Sequence, residues 1–159
     1  MIMRRTIATV VTGLALLVAL DGFAQTRAAG FSGNWLRDWP AVADNRPLPK
    51  FILQVALNDT TLAVAQQSGQ STRTATYRLE QPTDRGVPLD RTGRTFKWMA
   101  PDRLEVRDLI VESVSRSVAV TESWELRDGG RVLRISRTLR SLDEVSAKPE
   151  VRVSTFQRE

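Results

Sequence analysis

The chain has 159 residues, a formal charge of +5 carried overwhelmingly by Arg, and neither Cys nor His. Those two absences exclude disulfides, lipid attachment to cysteine, thiol nucleophiles, His acid–base chemistry, His- or Cys-ligated zinc and His-ligated haem. Charges of both signs are interspersed without a strong basic stripe, which speaks against a nucleic-acid partner, so any acid–base or cation chemistry would rest on carboxylates alone.

Arg4 and Arg5 precede an apolar run, Ile7 to Leu20, that closes on Gly22-Phe23-Ala24. A positive start, an apolar centre of this length and small residues at −3 and −1 predict a signal peptide over 1–24. A retained span would need about 20 uninterrupted apolar residues, whereas Asp21 breaks this run and Thr9, Thr12 and Gly13 dilute it. The reading predicts a periplasmic or secreted location, no stable membrane span after cleavage, and a single domain over 25–159.

From Phe51 onward the apolar residues recur with period two, the signature of strands with one buried face. Phe51, Leu53, Val55 and Leu57 share a face, Asn58-Asp59 supplies a turn, and Leu62 and Val64 return. A two-residue loop there would place Val55 opposite Leu62 and Leu53 opposite Val64. A third strand at about 72–80 puts Ala75, Tyr77 and Leu79 on one face, and the Pro- and Gly-punctuated stretch 81–93 reads as the longest loop. Phe96 and Trp98 mark a short strand, and Leu104 and Val106 share a face of the next.

In Val114 to Leu126 the even positions are apolar except Arg116 and Glu122, while small and polar groups fill the odd ones. A turn at Asp128-Gly129-Gly130 leads to Leu133, Ile135 and Leu139. A four-residue loop, 128–131, would set Glu122 opposite Arg137. A final strand runs from Val151 to Phe156. The pattern predicts an all-β fold, an antiparallel up-and-down β-barrel of about eight strands, with a β-sandwich as the alternative.

Gly33-Asn34-Trp35, followed by a meander containing Tyr77-Arg78-Leu79-Glu80 and Trp124 through Leu133, resembles the lipocalin-like, or calycin, group, and specifically small secreted bacterial domains of that architecture. The resemblance implies that Gly33 and Trp35 close one end of the barrel. It also implies that a late-strand Arg, with Arg137, Arg140 and Arg152 all eligible, stacks on the tryptophan. The Thr-Asp-Tyr element of typical lipocalins is absent.

A barrel of this size either fills with side chains or holds one small ligand. Tyr77, Phe96, Trp98 and Trp124 line the interior as core or as pocket wall. Arg116 and Glu122 are charges on an apolar face, which calls for pairing or a wet cavity. They serve either as a polar floor that fixes a ligand's carboxylate or hydroxyl, or as a rim residue and a pair with Arg137. The expected function is non-enzymatic binding of a small hydrophobic or amphipathic ligand in the barrel. The alternative is an envelope protein-interaction module with a filled barrel. No cofactor is expected, and Asp84, Asp90 and Asp102 are too dispersed for a metal site.

Overall fold

The alternating pattern becomes strand wherever the structure, a computed structural model, describes the chain: residues 30–39, 49–113, 116–143 and 146–159. The predicted signal peptide lies outside the described residues. The strands are β1 (Gly33–Asp38), β2 (Phe51–Leu57), β3 (Thr61–Ser68), β4 (Ser71–Leu79), β5 (Thr95–Ala100), β6 (Arg103–Ser113), β7 (Arg116–Arg127), β8 (Val132–Ser141) and β9 (Glu150–Arg158). They hydrogen-bond in sequence order, and β9 returns to β1 to close the barrel. Closure replaces the sandwich alternative and leaves each strand with a neighbour on both sides.

Nine strands, rather than about eight, has a geometric consequence. An alternating up-and-down order cannot close on an odd number, so one adjacent pair must run parallel. That pair is β4–β5, which shares only Arg78–Thr95 and Leu79–Phe96. Parallel neighbours cannot be joined by a tight hairpin. The long Pro- and Gly-rich connection at 80–94 therefore falls here, carrying short helical turns at Pro82–Asp84 and Leu89–Thr92.

Elsewhere turn chemistry sets the register. Leu57 pairs with Leu62 and Val55 with Val64, so the β2–β3 faces coincide as predicted but two residues away from the predicted pairing. Asn58 is the cause: its Oδ1 accepts from the Thr60 and Thr61 amides at 3.0 and 2.7 Å, which widens the turn. At β7–β8 the predicted four-residue loop is present, with Glu122 opposite Arg137. Gly129 and Gly130 both adopt positive φ there, where a side chain would be strained.

The apolar faces meet inside the barrel, where Leu53, Leu62, Phe96, Leu104, Val106 and Leu133 are all essentially inaccessible. Each contributes about 1.5–3 kcal/mol of burial. Trp35 is fully buried, donates from Nε1 to the Phe31 carbonyl at 2.9 Å, and lies with its ring centroid 4.5 Å from the Arg158 guanidinium carbon. The arginine on this tryptophan is thus Arg158, not Arg137, Arg140 or Arg152. β9 runs two residues past Phe156 and sets Arg158 directly opposite Trp35. Arg158 also donates to the carbonyls of Gly130 at 3.0 Å, Ser32 at 3.3 Å and Gly30, tying three segments together.

Candidate ligand-binding site

At the level of the barrel away from Trp35, the inward positions change character. β1 supplies Arg37, β3 Gln66, β7 Glu122, β8 Arg137 and β9 Arg152 and Ser154, mixed with Phe51, Leu53, Trp124, Ile135 and Phe156. These side chains do not fill the space. They enclose a cavity of about 220 Å³, smaller than a drug-sized pocket of about 300–1,000 Å³.

Glu122 is the carboxylate in this wall. Only 6 % exposed, it accepts from Trp124 Nε1 at 2.7 Å through one oxygen and from Arg137 Nε at 2.6 Å through the other, which also faces Arg137 Nη2. A buried carboxylate is tolerated when its lone pairs are used in this way. Trp124 and Arg137 are held in place by the same group, because both lie on the inner face at or next to Glu122 in the β7–β8 register.

The three arginines differ in their partners. Arg137 is paired with Glu122, and Arg152 donates from Nε to Glu150 at 2.6 Å. Arg37 has no carboxylate partner among the described residues. Its guanidinium sits 4.0 Å over the Trp39 ring and 5.7 Å from the Phe51 ring. Burial, together with the neighbouring positive charge of Arg137, pushes its pKa below the ordinary arginine value. Among the described residues the site therefore presents a cation whose charge is offset by ring faces and by no anion.

A smaller cavity of about 60 Å³ lies beyond Glu122 and Arg137, walled also by Tyr77, Val106, Asp108, Ile110 and Val120. Asp108 is engaged by Arg94, whose Nε lies 3.0 Å from both carboxylate oxygens. Tyr77 is nearly buried, and burial, reinforced by the Glu122 and Asp108 charges, drives its pKa well above the usual phenol range, so it is a neutral donor.

Of the residues singled out from sequence, Glu122 and Trp124 line the larger cavity and Tyr77 the smaller. Phe96 packs in the core, and Trp98 stands edge-on to Phe31, with centroids 5.8 Å apart. Arg116 begins β7 in register with Ser113. Gly33 has φ of 136°, which suits glycine, beside the Arg158 side chain. Arg37, at the cavity edge one strand from Phe51, is not among them. Its place two residues after Trp35 puts it on the same strand face, but only the closed barrel sets it against Phe51 and the β9 residues.

The sequence matches no protein-family profile and no curated protein. Solved structures similar to it include a Schistosoma mansoni fatty acid binding protein in complex with arachidonic acid. That likeness has a TM-score of 0.48 and 9 % identity, over 84 % of this chain and 98 % of that one. Caenorhabditis elegans lipid binding protein 8 gives 0.46 and 15 %, over 82 % and 96 %. The REP1-NXSQ fatty acid transporter gives 0.42 and 10 %, over 83 % and 98 %. The barrel described above rests on its own strand register and not on these likenesses.

Proposed function

We propose that this barrel binds a small amphipathic anion, with its apolar body against Phe51, Leu53, Trp124, Ile135 and Phe156 and its anionic head on Arg37. The observation that carries this reading is the Arg37 guanidinium, which has no carboxylate partner among the described residues and lines the cavity. Guanidinium groups recognise carboxylates in bidentate fashion, and a desolvated site strengthens that contact. A barrel that served only as an interaction module would have no use for a 220 Å³ cavity lined by three arginines. The residues at hand bind and orient; none pairs a nucleophile with a base, so we read the protein as a binder and not a catalyst. We place it outside the cytoplasm, on the strength of the charged, apolar and small-residue order of residues 1–24.

The test is a comparison of two ligands with the same chain and different heads. Octanoate and octanol are titrated against 1-anilinonaphthalene-8-sulfonate bound to the protein. Octanoate should displace the probe at least about tenfold more effectively, a difference of about 1.4 kcal/mol, and Arg37→Leu should abolish that preference. Equal displacement by both, or a preference that survives in Arg37→Leu, refutes the assignment.

A further inference from the structure

Three empty spaces lie in a row through the barrel and share their dividing walls. Glu122 and Arg137 line both the 220 Å³ cavity and the 60 Å³ cavity. Tyr77 lines the smaller cavity and also a depression on the outer surface formed with Thr61, Thr76, Arg78, Thr92 and Arg94. Tyr77 thus stands between the outer depression and the small cavity, on the flank formed by β4.

This is the flank where strand pairing is thinnest. β5 begins opposite Arg78, so towards the start of β4 no strand stands between β4 and the far half of β6. The connection 80–94 covers that gap like a strap. None of its described side chains is buried. Polar staples hold it instead: Arg78 grips Asp84 through two contacts, at 2.6 and 3.0 Å, and the Thr92 carbonyl at 2.9 Å, while Arg94 grips Asp108 on β6. Exposed ion pairs of this kind contribute about 0–1 kcal/mol each and weaken with salt. A third contact is looser still. Arg107 Nη1 is 3.9 Å from Glu80 Oε2, and that oxygen and Arg107 Nε are both enclosed without a hydrogen-bond partner. The Tyr77 hydroxyl also makes no hydrogen bond among the described residues, so packing alone holds the ring. A segment with exposed polar anchors and no buried side chain among its described residues belongs to the low-stability part of a fold.

We propose that the barrel opens to its interior through this side wall: the 80–94 strap lifts from β6, Tyr77 swings aside, and the small cavity becomes the antechamber of the large one. The identity of what passes rests on the anion-binding reading above; the passage itself does not.

The test needs no ligand. The protein has no cysteine, so Val120→Cys places a single thiol on the wall of the small cavity, and Leu133→Cys places one in the core on the far side from Tyr77, between Leu126 and Phe156. The rate of modification by a small methanethiosulfonate is measured with the strap intact and with both staples cut by Asp84→Asn and Arg94→Gln, which leaves the Asp108 carboxylate opposite Val120 in place. Cutting the staples should speed modification at Val120→Cys by at least about fivefold, and so should raising salt from about 0.05 to about 0.5 M with the staples intact. Leu133→Cys should not change. Unchanged rates at Val120→Cys overturn the proposal, and so does equal acceleration at both sites, which marks general unfolding. Failure of octanoate to bind would remove the anion reading and leave this result standing.

Discussion

Replacing Glu122 by Gln should move stability and ligand affinity in opposite directions. The carboxylate is buried and accepts from both Trp124 and Arg137, so the change keeps the shape and a hydrogen-bond acceptor but leaves the Arg137 charge uncompensated beside Arg37. Breaking a fully buried pair costs about 3–5 kcal/mol and an exposed one about 0–1 kcal/mol. The Arg137 side chain is 41 % exposed and that of Glu122 only 8 %, which puts this pair between the two, at about 2 kcal/mol. With a urea slope of about 2 kcal/mol/M, the unfolding midpoint should fall by about 1 M. The double variant Glu122→Gln/Arg137→Met should recover most of the loss, giving a coupling energy above about 1 kcal/mol in the cycle. The same Glu122→Gln protein should bind octanoate about tenfold more tightly, because Arg137 then lacks its internal anion and turns to the ligand's. A parallel fall in stability and affinity refutes the view that Glu122 competes with a bound anion. A coupling energy near zero refutes the pair itself.

Arg158→Met should cost about 1–2 kcal/mol in urea unfolding, since it removes the stacked cation over Trp35 and its carbonyl contacts while keeping some of the aliphatic packing; a loss below about 0.3 kcal/mol would deny it a role in closure. Arg37→Leu, by contrast, should leave the urea midpoint unchanged or raise it, because it removes a cation held beside another cation. Asp84 has its pKa held below the ordinary carboxylate value of 3.8, first by Arg78 and then by the Gln81 amide. A lowered folded pKa means that the staple is complete above the ordinary carboxylate range and is lost only as pH falls through the folded value. The Gln81 amide resonance, whose N–H donates to Asp84 at 2.7 Å, should therefore titrate with a midpoint below 3.8 and stay flat from pH 8 to 5; a midpoint above 4.5 would contradict the contact.

Period two made most strands legible, because a half-buried strand writes its two faces directly into the residue order. β7 and β8 are the clearest case: the apolar positions, the Gly pair and an even loop together placed Glu122 opposite Arg137. The β2–β3 pairing slipped by two residues because the widening of that turn comes from the Asn58 side chain, which hydrophobic alternation does not register. Strand parity was harder to see. Whether β1 counts as a full strand decides between an even and an odd barrel, and it has six residues with only Trp35 buried among them. The site was half legible for a related reason. A charge on an apolar face, such as Glu122, stands out against its neighbours, whereas Arg37 becomes informative only when closure brings β1 beside β9 and Phe51 beneath its guanidinium.

Arg158 makes completion of the barrel a late event. It lies 128 residues along the chain from Gly30, whose carbonyl it binds, and it anchors the β9–β1 seam on which closure depends. The β6–β7–β8 meander is built from local hairpins, whereas the ring waits for the β9–β1 seam, whose long loop adds an entropic cost that local pairing does not carry. A chain emerging in order cannot bury Trp35 beneath its arginine until β9 has followed the eight strands before it, so the ring stays open while those strands are made.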